Sequence, residues 1–154
     1  IALERPAAQV LATDVSRDAL EVARANAARL GAVQRVRFTH DTLTGPADAV
    51  DVIVSNPPYI AERDREFVMR DVRDFEPSGA LFAGIDGLDV IRKLINRAAV
   101  ALRPGGSLLI EIGAGQAAAV LELMERAGFE DLRTTSDIAG IARVVEGTRE
   151  AAPV

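Results

Sequence analysis

Asn56-Pro57-Pro58-Tyr59 is a run that can hold a planar NH2 group for chemistry at its nitrogen. The Asn56 side-chain oxygen accepts an N–H. Proline has no N–H, so the run offers carbonyls without competing donors. The residue ahead of each proline is pushed into extended backbone, which stiffens the segment. Tyr59 adds a flat apolar face with a polar tip. An amide or an exocyclic base nitrogen is a poor nucleophile, so holding it rigidly against an electrophilic methyl group is a sensible use of such a loop. The bland alternative is a proline turn that ends a strand. Val52-Ile53-Val54, directly ahead, reads as a buried strand and sets the run at a carboxyl end.

Two acids fall at comparable places. Asp14 follows the short apolar run Gln9–Thr13, and Asp41 follows Val36–Thr39. An acid at a strand's carboxyl end is well placed to bind ribose hydroxyls. Asp14 could otherwise serve only to cap a helix, but Ser16 already fills that cap. Asp41 has a plainer reading as a turn residue before Gly45-Pro46. The single histidine, His40, cannot build a metal cluster and reads as a strand cap. Cysteine is absent, which removes thiolate zinc sites, disulfides and a cysteine nucleophile. No metal site is expected.

The elements that must position these residues alternate along the chain. Ala19, Leu20, Val22, Ala23, Ala27 and Leu30 form a helical stripe that stops at Gly31. Asp51–Ser55 is the third strand. Residues 60–86 have no clean period and carry many charges, as a functional loop often does. Leu88, Ile91, Leu94, Ile95, Ala98 and Leu102 mark a helix stopped by Pro104-Gly105-Gly106. Ser107–Ile112 reads as a buried strand, and Val120, Leu123, Met124 and Ala127 mark a further helix. Phe129–Thr135 and Ala142–Val145 close the sheet. This alternation predicts an α/β fold with a Rossmann-like, mostly parallel sheet and an antiparallel closing strand.

The 154 residues suffice for one domain with a sizeable core; the expected domain spans residues 1–147, with 148–154 as a tail. No apolar run reaches transmembrane length, and a cytoplasmic location is expected. The net charge of −5 argues against a broad nucleic-acid surface.

These segments together resemble class I S-adenosylmethionine-dependent methyltransferases of the HemK/PrmC type. The resemblance rests on Ala12-Thr13-Asp14-Val15-Ser16, on Asp41, and on Asp51 through Ile60 with Asn56-Pro57-Pro58-Tyr59. It extends to Phe75-Glu76-Pro77, Ala80-Leu81-Phe82-Ala83-Gly84, Asp86-Gly87-Leu88, Pro104-Gly105-Gly106 and Glu111-Ile112-Gly113 with Gln116. That family methylates the glutamine side-chain amide in the Gly-Gly-Gln motif of peptide chain release factors. The resemblance implies S-adenosylmethionine as cofactor, held by Asp14, Val15, Asp41, Thr42 and Asn56. It implies Asn56, Pro57 and Tyr59 as catalytic residues. Asn56, Pro57, Pro58, Tyr59 and Glu76 would meet the substrate. A monomer with release factors as protein substrate is expected.

The tetrapeptide alone is shared with adenine-N6 methyltransferases, and the Phe-Glu-Pro and Glu-Ile-Gly segments tilt the acceptor toward glutamine. The alternatives are an adenine-N6 or ribosomal-protein methyltransferase, or a fragment that acts only in binding. A glycine-rich loop is expected about twenty residues ahead of Asp14. The chain opens at Ile1, so the glycine loop, the first strand and the family's N-terminal substrate-recognition domain are expected upstream of it. On that expectation the chain alone binds cofactor weakly. Leu108 through Gly115 also forms a strand followed by Gly-x-Gly, a weak match to a nucleotide-binding turn in a permuted enzyme.

Overall fold

Ser16 starts the first helix by accepting the Ala19 N–H on its hydroxyl at 3.1 Å. This N-cap satisfies one of the helix's orphan donors, and Asp18 in the first turn suits the positive end of the helix dipole. The computed structural model describes residues 1–67 and 78–151. The chain divides into two compact units, residues 1–47 and 48–154.

In the first unit, β1 (Val10–Asp14) pairs in parallel with β2 (Val36–His40), with Asp14 opposite His40. α1 (Arg17–Arg29) connects them. A small core of Ala2, Ala27 and Ala32 packs with Val10, Val36 and Phe38.

The second unit holds a four-stranded sheet in the order β3-β4-β6-β5. These strands are β3 (Val50–Ser55), β4 (Leu102–Glu111), β5 (Phe129–Ser136) and β6 (Ala142–Arg149). β3 and β4 are parallel, while β6 runs antiparallel to both β4 and β5. The helices are α2 (Ser78–Leu81), α3 (Asp89–Ala101) and α4 (Ala117–Arg126). α3 packs on β4, and α4 packs on β5 and β6. Ile91, Leu94, Leu108, Ile110, Val120, Met124 and Val145 are almost entirely removed from water. Their burial is the main favourable term for this unit.

Two local features differ from the sequence reading. β4 begins at Leu102 and continues past Pro104-Gly105-Gly106, which the sequence marks as a break. The register jumps there, from Val50 opposite Leu102 to Val52 opposite Ser107. A bulge thus absorbs the irregular residues without ending the strand. An Arg103–Asp51 ion pair at 2.6 Å ties the two strands across it. The second difference concerns β3. Its apolar run reads as buried, yet Val52 and Val54 are 52% and 58% exposed. Among the described residues β3 pairs with β4 alone, so one edge of it has no ladder.

No helix among the described residues is long and apolar enough to cross a membrane.

Candidate functional site

The first unit places Asp14 and Asp41 at the carboxyl ends of β1 and β2. Asp14 is exposed, and its Oδ1 accepts the Ser16 N–H at 2.7 Å. That turn sends the chain into α1 and leaves Oδ2 outside the bond. The Asp41 N–H donates to the Asp14 carbonyl at 3.1 Å, so the two strand ends are joined directly beyond the last ladder pair. Asp41 and Thr42 are exposed, and Asp41 Oδ1 accepts the Thr42 N–H at 2.7 Å. His40 lies beside them, with Nε2 within 2.9 Å of the Val15 carbonyl. It caps a strand end, in keeping with its lone occurrence. Val15 presents an exposed apolar side chain next to Asp14. The cluster therefore offers carboxylate acceptors and an apolar surface, the groups that suit a ribose and a base.

The second unit builds the Asn56–Tyr59 run at the end of β3. Ser55, the last β3 residue, lies opposite Ile110 of the buried β4. Asn56 follows it and is exposed, Pro57 is buried, and Pro58 and Tyr59 are half-buried. The run is secured at its far end as well. Ile60 forms a parallel bridge with Phe82. Its N–H donates to the Leu81 carbonyl, and its own carbonyl accepts the Ala83 N–H, both at 3.0 Å. The Glu62 N–H adds a 2.9 Å bond to the Gly84 carbonyl. Arg65 stacks on the Phe82 ring with its guanidinium carbon 3.9 Å from the centroid.

The turn at residues 84–88 is held by charge. Asp86 Oδ1 accepts the Leu88 N–H at 3.1 Å and an Arg92 N–H at 3.1 Å, and Oδ2 pairs with the other Arg92 nitrogen. Arg92 also reaches Asp89 at 2.9 Å. The Arg92 hydrogen bond, helped by the Leu88 N–H, holds the Asp86 carboxyl down at about 2.

Gln116 joins this assembly from the start of α4. Its Oε1 accepts the Gly113 N–H and its Nε2 donates to the Tyr59 carbonyl, both at 2.9 Å. Two glycines leave room for this arrangement. A Cβ at Gly113 would come within 3.1 Å of Tyr59 Cδ2, and one at Gly87 within 2.4 Å of the Tyr59 oxygen. Gly113 thus belongs to the packing around Tyr59. In the sequence Gln116 stands out only through resemblance, with no role attached. Its sole local signal is its position after Gly113-Ala114-Gly115 at a helix start.

Asp14, Val15, Asp41 and Thr42 thus lie together in the first unit, and Asn56, Pro57, Pro58 and Tyr59 in the second. Glu76 lies outside the described residues.

The chain is similar to known proteins along nearly its whole length. A release factor glutamine methyltransferase of Cereibacter sphaeroides is 45% identical over 97% of this chain and 54% of its own length. One from Geobacter sulfurreducens is 44% identical over 96% of this chain and 52% of its own length. The chain therefore spans about half the length of the curated relatives it matches. The crystal structure of a methyltransferase from Pyrococcus furiosus superposes with a TM-score of 0.65 at 19% identity, covering 92% of this chain and 63% of that one. That likeness shows the fold, an α/β methyltransferase sheet. The family model of the methyltransferase small domain matches residues 1–85, a stretch that contains both strand-end acids and Asn56–Tyr59, and the chain belongs to that family.

Proposed function

We propose that the protein carrying this chain transfers a methyl group from S-adenosylmethionine to the side-chain amide nitrogen of glutamine in the Gly-Gly-Gln motif of peptide chain release factors. The observation that carries this reading is the rigid Asn56–Tyr59 run at the carboxyl end of β3, secured at both ends by backbone bonds. The names of the relatives support the same acceptor.

The strand-end acids suit the cofactor. Asp14 would hold the ribose hydroxyls through Oδ2 while Oδ1 fixes the turn, and Asp41 with Thr42 would hold the adenine end beside Val15. Bound S-adenosylmethionine supplies a sulfonium methyl electrophile, so no covalent enzyme intermediate is needed.

The Asn56 oxygen and the Pro57 carbonyl accept the two N–H bonds of the acceptor amide. They hold its nitrogen lone pair toward the methyl and stabilise the positive charge that develops on nitrogen. Tyr59 packs against the amide plane. The nitrogen sheds its proton after transfer, so no general base is required.

Asn56→Ala tests the reading. Turnover on a release factor should fall by about 100- to 1,000-fold, the loss typical of removing one preorganised group that stabilises developing charge. Cofactor affinity by calorimetry should stay nearly intact. Near-normal turnover in this variant sinks the mechanism. Methyl transfer to an adenine-containing duplex in place of release factor would shift the acceptor to a base.

A further inference from the structure

Tyr59 is the last residue of the acceptor-holding run, and its carbonyl faces a side-chain amide from a distant helix. Gln116 lies 57 positions away and stands at the N-cap of α4. Its backbone is anchored on both sides: its N–H donates to the Gly113 carbonyl at 3.2 Å, and its carbonyl accepts the Val120 N–H at 3.0 Å. Its side chain then spans two fixed backbone groups. The orientation of the amide is set by those partners. Oε1 meets an N–H and Nε2 meets a carbonyl, so a flipped amide would place donor against donor and acceptor against acceptor.

The surroundings leave little slack. A Cβ at Gly113 would lie 3.0 Å from Gln116 Oε1, and one at Gly87 would lie 3.0 Å from Gln116 Nε2. A Cβ at either glycine would also crowd Tyr59, as described above. Gln116 is half-buried, where a lost partner for a carbonyl or an N–H is felt more than at an open surface.

We propose that Gln116 is a positioning residue: its amide clamps Tyr59 to Gly113 and so fixes the carbonyl end of the acceptor-holding run. This rests on the reading that Asn56–Tyr59 holds the methyl acceptor. A shift of the run by a fraction of an ångström would misalign the nitrogen, and misplacement of that kind costs rate more than binding. Only a side chain that both donates and accepts at this reach satisfies both ends. The substitution Gln116→Glu would keep the acceptor for Gly113 but turn an oxygen lone pair on the Tyr59 carbonyl.

The chain carries its own reporter. It has one tyrosine, Tyr59, and no tryptophan, so emission excited beyond the phenylalanine absorption band comes from this residue alone. In the 154-residue chain, Gln116→Glu and Gln116→Ala should each raise acrylamide quenching of Tyr59 by about two-fold while the circular dichroism is preserved. Lowering the pH should return the Gln116→Glu variant toward wild type, because a protonated carboxyl again donates and accepts. The Gln116→Ala variant should not respond. Wild-type quenching in both variants overturns the clamp. Should either variant fail to fold, NMR of the wild-type chain decides. Slowed exchange of a Gln116 side-chain amide proton supports the clamp, and free exchange of both protons overturns it.

In the intact protein, Gln116→Glu should lower kcat on the order of 10- to 100-fold with the KM for S-adenosylmethionine unchanged. If the wild-type protein moves no methyl group to glutamine, the functional reading fails while the quenching result still judges the clamp.

Discussion

Gly87 and the Tyr59 carbonyl are in contact so close that a Cβ on Gly87 would lie 2.4 Å from that oxygen. Gly87 also has φ +76, a left-handed conformation that side chains resist. Gly87→Ala therefore meets both a steric and a conformational penalty, of about 1–3 kcal/mol from the backbone alone. It should lower the denaturant midpoint and displace the Tyr59 end of the run, cutting turnover more than cofactor affinity. Equilibrium unfolding together with steady-state kinetics checks both effects.

Asp14→Ala removes the carboxylate proposed to meet the ribose. A hydrogen bond to a charged group contributes about 1.5–3 kcal/mol, so the Kd for S-adenosylmethionine should rise by about 10- to 100-fold. The substitution also removes the Oδ1 bond to the Ser16 N–H, but the Ser16 hydroxyl still caps the Ala19 N–H, so α1 should keep most of its helicity. Calorimetry of the intact protein reads the affinity, and an unchanged Kd would remove Asp14 from the cofactor site.

Asp86 gives a pH signature. Its folded pKa is lowered from the ordinary 3.8 to about 2, first by the Arg92 hydrogen bond and then by the Leu88 N–H. A depressed carboxylate contributes stability that is fully present above its unfolded pKa. That contribution is lost as pH falls through the folded value. The gap in melting temperature between wild type and Asp86→Asn should therefore be constant above about pH 5 and shrink between about pH 4 and 2. Melts followed by circular dichroism across that range test this. A gap that widens on acidification would contradict it.

Ile110 sits in the middle of the sheet, fully buried on β4, opposite Ser55 on one side and Val145 on the other. Ile110→Ala leaves a cavity under the strand end that carries Asn56. The expected cost is about 2–5 kcal/mol by chemical denaturation.

Much of this is legible in the sequence because the signals are local. Ser16 and the stripe from Ala19 to Leu30 announce α1 by capping and period. The apolar run before Asn56 and the short runs before Asp14 and Asp41 announce strand ends. What escapes depends on partners far along the chain. The passage of β4 through Pro104-Gly105-Gly106 rests on pairing with residues some fifty positions earlier. The exposure of Val52 and Val54 depends on which strands flank β3, and an apolar run carries no record of its neighbours. Gln116 reads as an ordinary polar residue at a helix start because its partner at Tyr59 is fixed only by the fold.

Among the described strands β6 follows β4 and β5 in sequence but lies between them in the sheet. A ribosome delivers the chain from its N-terminal side, so β4 and β5 emerge before the strand that bridges them. Until residues 142–149 clear the exit tunnel, the β4 edge has no antiparallel partner, and Val145 is missing from the core. The second unit can therefore complete its sheet only after β6 has emerged. A nascent chain halted before Ala142 should be digested readily by protease, and one whose residues 142–149 have cleared the tunnel should resist it.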